Sequence, residues 1–135
     1  MVCVGSYYVI PSFVIKVRAD DVGALVLVQE AIGCGRITDE RVYRGTHTQR
    51  RYVVNKVSDL IEFVVPFFRA YPLRAKKHLD FEIWAEAVEL LWEIQQRKRP
   101  GRTGSRWTPS DRERIASLSA ACKQVKRWHP VTKTV

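Results

Sequence analysis

The sequence predicts an α+β fold in which helices cover one face of an antiparallel sheet. Segments rich in Val, Ile, Tyr and Phe, typical of β-strands, occupy residues 6–18, 36–44 and 48–57. Segments with helical periodicity occupy residues 59–69 and 75–96. Hydrophobic residues make up 46% of the 135 residues, which is enough for a packed core. This order of elements favours strands and helices in separate layers.

The first strand segment, residues 6–18, contains Pro11, and a bend or an edge position is expected there because proline cannot donate to a ladder. From Phe13 onwards apolar side chains alternate with Lys16 and Arg18. A strand places alternate side chains on opposite faces, so the sheet is predicted to have one apolar and one basic face.

The first helix is predicted to begin at Asp20 or Asp21 and to run to Ala31. Aspartate is a favoured N-cap, and Gly33 and Gly35 supply the residues that commonly end a helix. We therefore assign the two aspartates to helix capping rather than to metal binding.

A β-hairpin is predicted next, because residues 36–44 and 48–57 flank a short connection that contains Gly45. On its second strand, Tyr52 and Val54 share one face. The opposite face is assigned to Arg51, Val53 and Asn55.

Two helices follow the hairpin. Ser58 occupies an N-cap position before residues 59–69, and Pro66 is expected to kink or restart that helix. The longest helix, residues 75–96, has an apolar stripe at helical spacing, formed by Leu79, Ile83, Trp84, Val88, Leu91 and Trp92.

The C-terminal part differs in composition, and the chain is divided into a domain of residues 1–96, a basic linker of residues 97–106 and a C-terminal helix with its tail, 107–135. Half of the linker residues are basic, and it contains Pro and Gly. In the third segment, Thr108 is a predicted N-cap, with Asp111 at the third helical position.

The net charge of +9 lies entirely in residues 97–135, because residues 1–96 contain 12 basic and 12 acidic residues. A basic segment on a neutral body indicates a polyanionic partner, most often nucleic acid. The three cysteines lie far apart and form no CxxC pair, so neither a zinc site nor a disulfide framework is indicated. No apolar run has the length to span a membrane. An intracellular protein, cytoplasmic or organellar, is expected.

Five segments of the sequence contain recognisable motifs: the V-I-P-S-F-V-I run within residues 8–15, G-C-G-R-I at 33–37, R-Y-V-V with S-D-L at 51–60, V-P-F-F with Y-P-L at 65–73, and K-K-x-x-D-F-x-x-W at 76–84. In order and spacing they resemble the motifs of LAGLIDADG homing endonucleases. Each segment alone is unspecific, whereas together they cover about residues 6–93.

The resemblance implies a saddle-shaped antiparallel sheet whose concave face lies in the major groove of double-stranded DNA, with helices behind it. Arginine can bind guanine bidentately and asparagine can bind adenine. The candidate groove-facing residues are Lys16, Arg18, Arg36, Arg51 and Asn55. The linker is expected to follow phosphates through Arg97, Lys98, Arg99 and Arg102. Lys76 or Lys77 resembles the family's basic residue near the active site.

The sequence departs from the family at its start, where the acidic helix that gives the family its name is missing. If Gly5 is the motif's closing glycine, Val4 stands where the metal-binding acid belongs. If residues 8–15 are instead the second strand, as we prefer, the first strand is lost as well. Four residues before Gly5 make about one helical turn, too few for a stable helix. We therefore expect a truncated domain without a metal of its own, and Mg²⁺ only where the acidic helix is supplied from elsewhere.

The hypothesis is sequence-specific DNA binding without efficient cutting by this chain alone. The alternatives are an endonuclease completed by a second copy, a partner LAGLIDADG domain or a missing N-terminal segment, a non-cutting DNA-binding regulator, and an RNA-binding intron maturase. A mobile intron or intein is the implied source. Loss of the helix would also expose apolar residues, among them Val65, Phe68 and Trp84.

Overall fold

The computed structural model describes the backbone of residues 2–4, 9–40 and 48–127, and the side chains of residues 11–39 and 48–125. The chain forms two compact units, Met1–Tyr71 and Pro72–Val135. Antiparallel strands in the first unit and helices in both confirm the predicted α+β class. The division at residues 96 and 106 stays a prediction.

The first unit begins with a two-stranded antiparallel ribbon, in which β1 (Val2–Val4) pairs with β2 (Val9–Pro11). β3 (Phe13–Arg18) follows after Ser12. The interruption falls next to Pro11, where a bend was predicted, because proline has no N–H to continue a ladder. The expectation that the strand before residues 8–15 is lost is wrong, since β1 pairs with β2.

The main sheet has three antiparallel strands in the order β3-β5-β4, with β4 at Arg36–Glu40 and β5 at Gln49–Val54. The central strand β5 is therefore paired along both edges. This confirms the predicted antiparallel pairing of the two segments for Arg36–Glu40 and Gln49–Val54. The glycine-containing connection predicted at residues 45–47 lies outside the described residues.

A 3₁₀ turn (Ala19–Asp21) leads from β3 into α1 (Val22–Ile32). The N-cap residue Asp21 makes no side-chain capping bond, and the Asp20 carboxylate lies 3.6 Å from Nε of Arg18. The prediction that an aspartate side chain caps this helix is wrong. The physical reason is that the tighter turn already supplies partners for N–H groups at the start of the helix.

Residues 57–70 form one helical stretch with three backbone geometries: α2 (Val57–Asp59), a π-helical turn (Leu60–Val64) and α3 (Val65–Ala70). Pro66 is the second residue of α3, and the helical stretch continues through it although it has no N–H to donate to a carbonyl of the preceding turn. The wider π turn before it makes room for the proline ring, which clashes with the carbonyl four residues back in a regular helix. The kink or restart predicted at Pro66 takes the form of this change in geometry.

Ser58 does not cap this stretch, contrary to the prediction. The helix begins two residues earlier, at Val57, with Lys56 as its N-cap and no side-chain capping bond. Val57 is buried, so burial of an apolar residue in the first turn, rather than a capping side chain, determines where the helix begins.

The core of the first unit lies between the apolar face of the sheet and its helices. The ring of Phe13 lies 6.3 Å from that of Tyr52 and 5.2 Å from that of Phe68, measured between centroids. Val65 is only 3% exposed and Phe68 is half-buried. The expectation that these two side chains face solvent is wrong, because α3 packs its apolar side against the sheet.

The second unit consists of α4 (Lys76–Gln96), the connecting loop and α5 (Pro109–Arg127). Its buried apolar residues are Phe81, Trp84, Ala85, Ala87, Val88, Leu90, Leu91, Ile94 and Ile115. Trp84 is therefore buried as well, against the expectation of exposure. Among the described residues, no helix combines the length and the apolar character that crossing a membrane requires.

Leu79 was assigned to the apolar stripe of α4, but its side chain is 59% exposed. Leu90 lies three helical turns further along, on the same face, and is buried. Position along the helix therefore decides burial here, since the first turn of α4 is not covered on that side.

The predicted cap of α5 is confirmed and is reciprocal. The Asp111 N–H donates to Oγ1 of Thr108 over 3.2 Å, and the Thr108 N–H donates to Oδ2 of Asp111 over 2.7 Å. This is the geometry of a capping box, with aspartate in place of the usual glutamate. It fixes the point at which the loop ends and α5 begins.

Candidate nucleic-acid interface

The strand register assigns every residue of the main sheet to one of two faces. Ile15, Tyr52 and Ile37 lie side by side across the three strands. This row belongs to the apolar face, on which Tyr52 is fully buried. Arg50 also falls on this face by register, and its Nε lies 2.5 Å from Oδ1 of Asp39.

The opposite face carries the predicted basic residues. Three rows cross it: Val14–Val53–Arg36, Lys16–Arg51–Thr38 and Arg18–Gln49–Glu40. Neighbouring strands lie about 4.8 Å apart and rows about 7 Å apart, so four cations occupy a patch of about 10 by 14 Å. We call this patch, formed by Lys16, Arg18, Arg36 and Arg51, the basic face. The structure thus brings together the four strand residues that sequence reasoning selected.

The side chains of the basic face differ in their exposure to solvent. Lys16, Arg18 and Arg36 are exposed, whereas Arg51 is half-buried. Nε of Arg51 donates to Oγ1 of Thr38 on the neighbouring strand over 3.4 Å. Sequence reasoning missed Thr38, because only the strand register shows that it lies opposite Arg51.

Asn55, the fifth candidate, lies just beyond the end of β5. It lines an open depression of about 320 Å³ together with Arg36, Lys56 and the acidic Asp59. The depression beside the end of β5 is therefore lined by residues of both charge signs. Asn55 therefore lies beside Arg36, but outside the ladder that fixes the other four residues.

The turn before β4 is held by Tyr52. The Tyr52 hydroxyl donates to the Cys34 carbonyl over 2.5 Å, and the Gln29 side-chain amide donates to the Gly35 carbonyl over 2.9 Å. Burial raises the pKa of the Tyr52 hydroxyl above its usual range, with smaller contributions from Cys34 and Asp59. The hydroxyl therefore remains a donor, and the turn that leads into Arg36 is anchored to the central strand.

Gly35 is the residue that allows this close packing. Its φ is +92°, and a Cβ atom there would lie 2.6 Å from Cε2 of the Tyr52 ring. A side chain would be strained by the backbone and would also overlap a fully buried ring. The G-C-G motif thus places the chain directly beneath Tyr52 just before β4 begins.

Cys34 lies in the same turn and is half-buried. Burial raises the pKa of its thiol, and the nearby Asp59 carboxylate raises it further, against the lowering effect of the Tyr52 hydrogen bond. The side chain is accordingly a thiol near neutral pH rather than a reactive thiolate.

A sequence model described as LAGLIDADG endonuclease matches residues 4–88. This match covers more than half of the chain. The chain belongs to the LAGLIDADG endonuclease family. No curated protein matches this chain.

Solved structures agree with this LAGLIDADG assignment in fold. The meganuclease I-SmaMI bound to cleaved DNA superposes with a TM-score of 0.69 at 24% identity, covering 88% of this chain and 35% of I-SmaMI. I-SmaMI bound to an uncleaved DNA target in the presence of calcium ions gives 0.67 at 23% identity, covering 86% and 35%. The homing endonuclease I-TnaI gives 0.67 at 21% identity, covering 89% and 74%. The chain thus spans about a third of the length of I-SmaMI.

The two lysines carried over from the LAGLIDADG resemblance, Lys76 and Lys77, occupy the first turn of α4 in the second unit. Lys77 is exposed and Lys76 half-buried. Directly before them Ala75 has φ 55° and ψ −134°, a conformation that residues other than glycine rarely adopt. The start of α4 is therefore held in a strained geometry, which is common at functional sites.

The loop residues predicted to follow phosphates separate into two groups. Arg97 is bound through Nη1 to Oδ2 of Asp111 at 2.6 Å and through Nη2 to Oε1 of Glu93 at 3.4 Å. Lys98, Arg99 and Arg102 are exposed. Arg97 thus clamps the loop to α5, and sequence reasoning missed this role because Asp111 lies 14 residues further along the chain.

Asp20 and Asp21, which directly follow β3, are both exposed. Within the described part of the chain, no three His, Cys, Asp or Glu residues are placed to hold a metal ion together. The described residues on their own therefore do not fit the metal site that the family resemblance implies.

Proposed function

We propose that this chain is a double-stranded DNA-binding domain of the endonuclease type, and that the basic face of its sheet reads the sequence of the duplex. The observation that carries the proposal is the register of the sheet, which puts Lys16, Arg18, Arg36 and Arg51 on one face. The patch of about 10 by 14 Å fits a major groove about 12 Å wide.

Different residues of the basic face are suited to base contacts and to phosphate contacts. Arg51 is held by Thr38, and a guanidinium with a fixed direction is suited to bidentate contact with guanine. Arg18 and Arg36 are exposed towards the ends of the patch, where phosphate contacts give affinity without specificity. Membership of the LAGLIDADG endonuclease family, and the DNA in the structures of I-SmaMI, support DNA as the partner.

The test is selection of a binding site from a random duplex library, followed by comparison of Arg51→Gln with Lys123→Gln. Both changes remove one positive charge, and Lys123 is an exposed residue of α5. If Arg51 reads a base, its loss relaxes discrimination at one position by about 1–3 kcal/mol, or roughly 5- to 150-fold. Lys123→Gln should leave the selected sequence unchanged.

Two outcomes would contradict the proposal: absence of binding to any duplex at low salt, or unchanged base preference in Arg51→Gln. Tighter binding to a structured intron transcript than to the selected duplex would favour the RNA maturase alternative.

Cleavage is the second candidate, because the family is one of endonucleases. We propose that the described residues bind DNA without cutting it, and that Mg²⁺-dependent cutting requires carboxylates from a second copy, a partner domain or a further segment. The selected duplex is incubated with the full chain and Mg²⁺ and analysed for nicks. Nicking by the wild type that is lost in an Asp20→Asn, Asp21→Asn double variant would show that described carboxylates support cutting, and would overturn this point.

A further inference from the structure

The loop between α4 and α5 encloses an open pocket of about 390 Å³ in the second unit. The lining residues that carry hydrogen-bonding side chains are Gln95, Arg99, Arg102, Thr103, Ser105, Arg106 and Trp107. The described residues that line it include no carboxylate. The pocket therefore has the composition of an anion site.

The loop has a defined shape. A Cβ atom on Gly104 would lie 2.0 Å from the Pro100 carbonyl oxygen, so the chain folds back on itself at a point that only glycine permits. At one end of the loop, Arg97 is bound to the carboxylate of Asp111. At the other end, the capping box fixes Thr108 at the start of α5. The three arginines thus lie on a loop whose two ends are both held by hydrogen bonds.

The polar groups of the pocket are donors suited to phosphate. Oγ of Ser105 accepts a hydrogen bond from the backbone N–H of Trp107 over 3.1 Å. The Ser105 hydroxyl proton can therefore be donated to another acceptor. Guanidinium groups present several N–H donors in a fixed plane and match phosphate oxygens bidentately. The guanidinium of Arg112 lies 6.0 Å from the Trp107 ring centroid and adds a further positive charge nearby.

We propose that this pocket, formed by the loop arginines Arg99, Arg102 and Arg106, binds a phosphate of a nucleic-acid backbone as a second contact region besides the basic face. The open form of the pocket suits a phosphate that belongs to a continuous strand. Arg97, which sequence reasoning placed in the same group, holds the loop instead. The nature of the polyanion rests on the proposed function, whereas the existence of the anion site does not.

The test compares Arg102→Gln and Arg106→Gln with the charge-matched Lys123→Gln, in the full chain, by anisotropy of a labelled duplex over a range of KCl concentrations. Each phosphate contact contributes about 0.9 to the slope of log K against log salt. We expect each arginine variant to lower that slope by about 0.9 and to weaken binding roughly tenfold at 0.1 M salt. Lys123→Gln should change neither. Equal effects in all three variants, or none in the arginine variants, would overturn the proposal.

A second measurement identifies the source of the phosphate. The indole N–H resonance of Trp107, assigned with Trp107→Phe, is followed during titration with the duplex and with inorganic pyrophosphate. A shift with the duplex that is lost in Arg102→Gln supports the proposal. Saturation by micromolar pyrophosphate, with duplex binding unaffected in the arginine variants, would overturn the nucleic-acid assignment in favour of a free phosphate ligand.

The two proposals fail in distinguishable ways. Variants of the pocket should weaken binding to all duplexes alike and leave base preference unchanged, whereas Arg51→Gln should alter base preference. If Arg51→Gln has no effect on base preference while Arg102→Gln lowers the salt slope, the proposed base reading by the basic face is refuted. The proposed phosphate binding by the pocket is then retained.

Discussion

Substitution of Gly35 by alanine should destabilise the first unit more than any other change of one methyl group in the sheet region. The backbone there has φ +92°, and holding a side chain in such a conformation costs about 1–3 kcal/mol. The new Cβ would also lie 2.6–2.8 Å from three atoms of the Tyr52 side chain. Forcing an extra methyl group into a packed site costs about 1–3 kcal/mol more.

The Tyr52 ring cannot move aside at little cost, because it is fully buried and its hydroxyl donates to the Cys34 carbonyl. The two terms together predict a loss of about 2–6 kcal/mol, a large share of the 5–15 kcal/mol typical of a domain. Urea unfolding followed by circular dichroism measures this loss. With a slope of about 2 kcal/mol per molar urea, the midpoint should fall by about 1–3 M.

Gly23 provides the matched control. It lies in α1, and nothing is within 4 Å of its Cβ position. Gly23→Ala should stabilise the protein by roughly 0.5–1 kcal/mol, because alanine favours a helix over glycine. If Gly35→Ala unfolds at the same urea concentration as the wild type, the argument from strain and overlap is refuted.

Two further predictions concern the second unit. Ala75→Gly should raise the melting temperature. Relief of the strain at φ 55° stabilises the folded state by about 1–3 kcal/mol, which outweighs the roughly 0.5–1 kcal/mol that glycine costs through its greater loss of conformational entropy. A lower melting temperature would contradict this. The hydrogen bond from Arg97, followed by the bond from the Thr108 N–H, lowers the pKa of Asp111 from 3.8 to about 2. The folded pKa is depressed, so its contribution to stability is complete above about pH 4 and is lost as the pH falls towards 2. Denaturant midpoints measured between pH 5 and 2 should therefore fall less steeply in Asp111→Asn than in the wild type, and parallel curves would refute the assigned cause.

The basic face could be predicted because strand alternation is local. Once Phe13 faces the core, Lys16 and Arg18 must face the other way, whatever the rest of the chain does. The same holds for Arg51 next to the buried Tyr52. The capping box at the start of α5 was predictable for a similar reason, since both partners lie within one helical turn.

The helix N-caps were not predictable where the preceding turn or the burial of an apolar residue sets the start of the helix. Asp21 and Ser58 are good N-cap residues by type, yet a 3₁₀ turn precedes α1 and a buried Val57 begins α2. Local preference is a weak term there, because burial of apolar side chains and the preceding turn decide where the helix starts.

Which residues share a face follows from local periodicity, because side-chain direction repeats every two residues in a strand and every 3.6 in a helix. Which distant residues meet depends on packing: Gly35 lies beneath Tyr52, and Arg97 binds Asp111. Those contacts join residues that no periodicity relates, and they form only where the packed elements bring the chain back upon itself.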